Sequence, residues 1–171
     1  MQKLVKLTKK SKKKALGTGS WVIGDPQGDA PWISNGQWAI RMDRTDVPST
    51  RDGILGCFGL NGDTKEFTKD MVDSVLPDFP DDNALLSTTP WLLEKGNKLL
   101  RLVRGKDCFT LLDEDYIKLL DIQDENLYVP GFPSGEILGP VAFLDPMSNK
   151  PVALVMPVRS ELSIDELPSV Q

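Results

Sequence analysis

Four aspartates in the first third of the sequence carry the side chains best suited to binding a divalent metal ion. They are Asp25, Asp29, Asp43 and Asp46, and they lie in or beside polar segments rich in turn-forming residues. A metal-dependent hydrolase would use carboxylates of this kind. Their spacing fits no ligand motif, however, and aspartate is equally common in turns, where it hydrogen-bonds to the backbone. We therefore predict no metal site, no cofactor and no enzymatic activity.

The sequence has no histidine, which excludes histidine-dependent triads, histidine general bases and Cys/His zinc sites. Cys57 and Cys108 are its only cysteines. They could pair in a disulfide, but both lie in apolar, strand-like surroundings, where a cytoplasmic cysteine is usually a small buried hydrophobic residue. No apolar run approaches the length of a membrane span and the N-terminus lacks a signal-peptide core, so we predict a cytoplasmic protein without a membrane partner.

The charge of the chain is unevenly distributed. Residues 1–14 contain seven lysines and none of the 25 acidic residues, although the net charge is −5. Such a basic arm could bind the phosphate backbone of DNA by releasing counterions. The candidate DNA-binding residues are Lys9, Lys10, Lys12, Lys13 and Lys14. The alternative is a solvated tail that aids solubility or neutralises the acidic body of a neighbouring subunit. We assign residues 1–20 to this flexible arm.

An N-terminal hairpin is predicted next, at residues 32–41. Asn35-Gly36 at its centre is typical of a tight hairpin turn. Trp32 and Trp38 are expected near each other across the hairpin, where they could stack bases, grip a partner peptide or simply pack. The polar segment that follows predicts a linker, so residues 21–53 are assigned to a β-hairpin appendage.

Residues 54–159 predict an α+β domain of antiparallel sheet with two helices, built from two successive βαβββ units. In the first unit, Asp63 and Glu66 form a capping-box pattern at the start of a helix that ends near Leu76. In the second, Asp113 opens a helix that runs through Leu120. The predicted strands are residues 54–60, 84–87, 91–94 and 98–104, then 108–111, 126–129, 137–144 and 151–158.

The last predicted strand is a candidate binding site. Residues 152–156 are apolar without a break, which predicts that both faces of the strand are covered. Pro157 has no backbone N–H to donate, which places the end of the strand at a sheet edge or bulge. An apolar edge is normally paired or used. The alternative is that these residues are simply the core and rim of a sheet.

The element order, together with the closing motif, resembles one domain of the bacterial DNA sliding clamp, the β subunit of the replicative polymerase. The motif consists of Val155, Met156, Pro157, Val158 and Arg159, and residues 109–121 and 141–144 also take part in the resemblance. In sliding clamps the closing strand helps to form a hydrophobic pocket for short peptides. The resemblance therefore implies that Val155, Met156, Pro157 and Val158 bind a peptide or a subunit. Since a clamp ring contains six such domains, it also implies a homo-oligomer.

Residues 160–171 form an acidic C-terminal tail. Residues 161–168 faintly resemble a clamp-binding linear peptide, with apolar residues at alternate positions. Such a tail could occupy the chain's own pocket, that of a neighbour, or that of a host clamp. The alternative is a disordered acidic terminus.

We therefore predict a non-enzymatic, DNA-clamp-like module. It would bind partner proteins or copies of itself through its C-terminal edge strand, and its lysine arm would allow association with DNA. The alternative function is a phage-type interaction or inhibitor protein, whose acidic surface targets a nucleic-acid-binding enzyme.

Overall fold

A computed structural model describes residues 22–24, 32–34, 36–41, 43, 65–66, 84–120, 126–129, 131, 133–145, 147–148 and 150–168. Within these ranges the chain forms eleven β-strands and one short α-helix. The α+β, strand-rich prediction is therefore confirmed. The sheet is mixed and not purely antiparallel as predicted, because the two-residue strands at its ends, β4 and β9, pair in parallel with β1 and β7.

Among the described residues, the strands follow one another along the chain with one α-helix, between the seventh and the eighth. They are β1 (Val22–Gly24), β2 (Trp32–Ser34), β3 (Trp38–Arg41), β4 (Lys65–Glu66), β5 (Ala84–Lys95), β6 (Lys98–Arg104), β7 (Cys108–Asp113), α1 (Glu114–Leu120), β8 (Asn126–Val129), β9 (Gly135–Glu136), β10 (Val141–Leu144) and β11 (Pro151–Val155). In space the order is β4-β1-β2-β3-β11-β10-β8-β5-β6-β7-β9. Strand β5 thus joins the two halves of the sheet.

Three hydrophobic clusters hold this sheet in place. The largest includes Trp38, Val103, Phe143 and Val155 and packs with α1 through Tyr116 and Ile117. A second cluster covers the opposite face of the N-terminal half and includes Trp32 and Leu154. The third, on β6 and β7, consists of Leu100, Leu102, Phe109 and Leu111. The prediction that the run of residues 152–156 is covered on both faces is confirmed for residues 152–155, whose side chains are divided between the first two clusters. Met156 is 39% exposed.

The N-terminal hairpin forms as predicted, with Gly36 in the left-handed region at a φ of 83°. It is not a separate appendage, because β3 pairs with β11 inside the main sheet. The expected contact between its two tryptophans is also wrong. Trp32 lies opposite Arg41 and belongs to the second cluster, whereas Trp38 belongs to the first. Each indole therefore packs in a different core.

The second predicted helix forms, and the first is not confirmed. Asp113 caps α1, since its carboxylate accepts a hydrogen bond from the Asp115 N–H at 3.0 Å. At the predicted start of the first helix, Lys65–Glu66 is strand β4, and residues 67–76 lie outside the described residues, as do residues 54–60. Residues 84–87 and 91–94 belong to one strand, β5, with an irregular register between Thr88 and Leu92. The two βαβββ units are therefore not confirmed.

Candidate protein-binding edge

Strand β5 has different neighbours at its two ends. Its first three residues, 84–86, pair with β8, and residues 87–88 and 92–95 pair with β6 on the other side. Among the described residues, no strand pairs with the remaining side of residues 91–95. This segment is called the open edge of β5 below.

The hairpin turn shows which backbone groups the open edge presents. Lys95 and Lys98 pair across the two-residue turn Gly96-Asn97, and such a turn closes on a hydrogen-bonded pair. Hydrogen-bonded and non-hydrogen-bonded pairs alternate in antiparallel sheet. Leu93 is therefore bonded to β6, and Leu92 and Glu94 direct their N–H and C=O groups away from it. The open edge can accept a further strand at these two residues.

Large apolar side chains cluster at this edge. Trp91 is 51% exposed, Leu92 44%, Leu93 39%, and Leu99 on β6 is 42% exposed. Leu92 and Leu99 are diagonal neighbours on one face, because Leu92 pairs with Arg101 and Glu94 with Leu99. Leu93 pairs with Leu100 and therefore lies on the other face. Single exposed leucines are ordinary on protein surfaces, whereas several exposed leucines and a tryptophan at one strand end are a candidate interaction site.

A hydrogen-bonded bulge fixes the start of the open edge. The Thr89 hydroxyl donates to the Leu102 carbonyl at 2.9 Å and accepts from the Trp91 N–H at 3.2 Å. The Arg101 guanidinium donates to the Thr89 carbonyl at 2.9 Å. Pro90, which lacks an N–H, lies within this bulge, as expected for proline in an edge strand. The exposed side chains therefore stand on an ordered backbone, which lowers the entropy lost on binding.

The nearest charged cluster joins β6 and β7 to α1. Arg101 donates to both carboxylate oxygens of Glu114, at 2.8 and 2.6 Å, and Lys118 lies 3.4 Å from the same carboxylate. The Arg101 hydrogen bond, with a smaller contribution from Lys118, holds the pKa of Glu114 below its usual range. Lys98 lies 3.2 Å from Asp113. Since each of these carboxylates has a cationic partner, the cluster is suited to holding α1 on the sheet and not to acid–base chemistry.

Tyr116 ties the same helix to the N-terminal hairpin, because its hydroxyl donates a hydrogen bond to the Gln37 side chain. Burial, together with the charges of Asp113 and Asp115, raises the pKa of Tyr116 to about 12. The phenol is therefore neutral at physiological pH. It acts as a hydrogen-bond donor within the fold.

The peptide-binding role predicted for the closing strand assumed an open sheet edge, and β11 is not at an edge. Strand β11 lies between β3 and β10, so the prediction that it is an edge strand is wrong. Val155 is 0% exposed and belongs to the core, and the Met156 N–H donates to the Gln37 carbonyl at 2.8 Å. Pro157 is half-buried, and Val158 packs against the third cluster while its N–H donates to the Leu111 carbonyl. The physical reason is that β3 occupies the side of β11 that was expected to be open.

The C-terminal tail lies on the chain's own surface. Val158, Leu162, Ile164 and Leu167 pack against the β6–β7 cluster. Polar contacts hold it at intervals: Lys95 donates to the Arg159 carbonyl at 2.8 Å, and Arg104 donates to the Pro168 carbonyl at 3.0 Å. Of the alternatives for the tail, packing against its own chain fits these contacts, and a disordered terminus does not fit for residues 158–168.

Most other residues selected from the sequence lie outside the described residues: Lys9, Lys10, Lys12, Lys13, Lys14, Asp25, Asp29, Asp46 and Cys57. Asp43 accepts two hydrogen bonds from Arg41, at 2.7 and 3.0 Å, so its carboxylate has a structural partner. Cys108 is a buried thiol whose pKa is raised by burial, as expected of a core cysteine.

The described part of the chain contains no group of three acidic or cysteine side chains that could hold a metal ion. In the same part, no helix is long and apolar enough to span a membrane.

The open edge itself was not selected from the sequence, although residues 91–94 were predicted to form a strand. The available signal was the combination of Pro90 with Trp91, Leu92 and Leu93 directly before a tight turn. Proline in an otherwise apolar strand indicates an edge, and apolar residues at an edge indicate a partner.

Comparisons with known protein families, with curated proteins and with solved structures find no match. The resemblance to a sliding-clamp domain therefore stays a prediction.

Proposed function

We propose that this protein is a non-enzymatic binding module that captures a protein partner by strand addition at the open edge of β5. The observation that supports the proposal most directly is the group of exposed apolar side chains, Trp91, Leu92 and Leu93, on a strand segment with no described neighbour on one side. The predicted role, binding of partner proteins or of the chain itself, is retained. The proposed surface moves from β11 to β5.

The chemistry of the edge favours this mode of recognition. In strand addition, main-chain hydrogen bonds provide affinity and alternate side chains provide specificity. The N–H and C=O groups of Leu92 and Glu94 supply the main-chain hydrogen bonds. Trp91 and Leu93 supply apolar contacts beside those hydrogen bonds. Tryptophan is enriched among the residues that dominate binding energy at interfaces. We therefore expect Trp91 to contribute the most.

A photo-crosslinking amino acid in place of Leu99, beside the edge but outside its ladder, identifies the partner by mass spectrometry. Binding of the purified partner is then measured by calorimetry. We expect Trp91→Ser to weaken binding by about tenfold or more. The matched control is Met147→Ser, since Met147 is almost fully exposed in the β10–β11 loop. Unchanged affinity for Trp91→Ser, or equal losses in the two variants, would refute the proposal.

We also propose that residues 1–14 hold the module near DNA through Lys9, Lys10, Lys12, Lys13 and Lys14. The support is the concentration of lysine in a segment without acidic residues. Each phosphate contact makes binding steeper in salt, so removal of this arm should lower the salt dependence of DNA retention. Replacement of these five lysines by glutamine keeps the length of the arm and should have the same effect. An unchanged salt slope would show that the lysines do not contact phosphates.

A further inference from the structure

We infer that the partner at the open edge of β5 is a second copy of this chain, paired antiparallel about a two-fold axis beside Leu93. This inference rests on the proposed function and gives its partner an identity. Two copies of one strand can always pair antiparallel about a two-fold axis, and the position of the axis then fixes every residue pair. The sequence of the edge decides which position is allowed.

Backbone hydrogen bonding favours the axis beside Leu93. The regular part of the open edge presents two residues to a partner, Leu92 and Glu94. With the axis beside Leu93, Leu92 of each copy pairs with Glu94 of the other, so all of these N–H and C=O groups find partners. With the axis beside Leu92, Glu94 lies opposite Pro90, which has no N–H to donate.

Electrostatics excludes the axis positions closer to the turn. An axis beside Glu94 would place the two Glu94 carboxylates opposite each other, and one beside Lys95 would do the same with two ammonium groups. Like charges directly opposite each other destabilise a strand pair. An axis beside Trp91 would require the bulge to pair, although the Trp91 N–H is already bonded to Thr89.

Side-chain packing agrees with the same position. An axis beside Leu93 places the two Leu93 side chains in contact and sets each Trp91 across from Lys95 of the other copy. The alkyl stem of lysine packs on an indole ring, and the Lys95 ammonium keeps its hydrogen bond to the Arg159 carbonyl of its own chain. Leu92 then lies across from Glu94, whose carboxylate can reach solvent. The pairing joins the two copies in one continuous sheet and brings their exposed Leu93 side chains together.

Analytical ultracentrifugation of the full chain over a concentration series tests the association. We expect a reversible monomer–dimer equilibrium that Leu92→Pro weakens by about tenfold or more, because proline removes an N–H that points to the other copy. The chain's own ladder does not use that N–H, so circular dichroism should show a folded variant. A dimer that is unaffected by Leu92→Pro would overturn the inference.

Disulfide trapping tests the register independently of that variant. Leu93 faces its own symmetry mate in a non-hydrogen-bonded pair, where the Cβ atoms lie about 4.5–5.5 Å apart, within reach of a disulfide after small adjustment. Mild oxidation should therefore link Leu93→Cys into covalent dimers more completely than Leu92→Cys or Met147→Cys. The unmodified chain controls for Cys57 and Cys108. Equal trapping at all three positions would overturn the register.

Failure of this inference can be told apart from failure of the proposed function. If the chain stays monomeric over the concentration series but is crosslinked from position 99 to a different protein, the partner is not a second copy. The proposed strand addition then still stands. A chain that neither dimerises nor crosslinks at this edge overturns both.

Discussion

Strands β11 and β5 both contain an uninterrupted apolar run, but one run lies inside the sheet and the other lies at an edge. The run in β11 lies between β3 and β10 and is buried on both faces. The run in β5, at Trp91, Leu92 and Leu93, pairs with β6 on one side and is exposed. Composition alone does not separate these two cases. What separates them is whether a distant segment of the chain supplies a neighbouring strand.

The largest expected effect is on the buried strand. Val155→Asp places a carboxylate where Val155 is 0% exposed, and an unpaired buried charge costs about 5 kcal/mol or more. We expect loss of cooperative thermal unfolding, measured by circular dichroism. Leu93→Asp, on the exposed run, should keep the fold. A folded Val155→Asp variant would mean that β11 is not a core strand.

The ion pair at the base of the β5–β6 hairpin should have the next largest effect. Glu114→Gln leaves the Arg101 guanidinium without its bidentate partner in a mostly buried site, which costs about 3 kcal/mol at neutral pH. The comparison variant is Glu161→Gln, an exposed acid in the tail. Urea unfolding at neutral pH measures both.

The same ion pair predicts a pH dependence. The pKa of Glu114 is lowered in the folded state, so its contribution to stability is fully present above the ordinary value of 4.5 and is lost as the pH falls through the lowered folded-state pKa. We expect the stability of the unmodified chain to fall below pH 4.5, and to fall less in Glu114→Gln. If the free energy of unfolding had the same pH dependence in the two proteins, Glu114 would not be the source of the effect.

Removal of the tail should have a smaller effect. A chain that ends at Pro157 loses the apolar contacts of Val158, Leu162, Ile164 and Leu167 with the β6–β7 cluster, which we expect to lower the free energy of unfolding by about 2 kcal/mol. Hydrogen exchange should then increase in β6 and β7 more than in β11. Truncation after Pro168 keeps all of these contacts and serves as the control.

The smallest effect on stability is expected at the exposed run itself. Leu92→Ser should change the free energy of unfolding by less than about 0.5 kcal/mol, since surface substitutions rarely do more. Association through the open edge should nevertheless weaken by about tenfold. A large loss of stability in urea unfolding would show that Leu92 belongs to the core.

The elements that could be predicted from the sequence depend on local chemistry. Asn35-Gly36 specified the N-terminal hairpin, and Asp113 specified the start of α1. The sheet order could not be predicted, because the pairing of β3 with β11 joins segments more than a hundred residues apart. For the same reason β11 was taken for an edge.

The candidate site illustrates the same limit. Residues 84–87 and 91–94 were predicted as two separate strands, whereas they belong to one strand, β5, in which a bulge accommodates Pro90. Recognition of the open edge required knowledge that, among the described residues, β8 pairs with residues 84–86 of β5 alone.

The pairing of β3 with β11 has a consequence for synthesis on the ribosome. Strand β3 emerges early, but the strand that completes its side of the sheet emerges only after residue 155 has been added. Until then, Trp38 lacks most of the core that buries it in the finished protein. A nascent chain must therefore be synthesised through residue 155 before the N-terminal half of the sheet can close, which makes folding slow and late and exposes an apolar hairpin to chaperones.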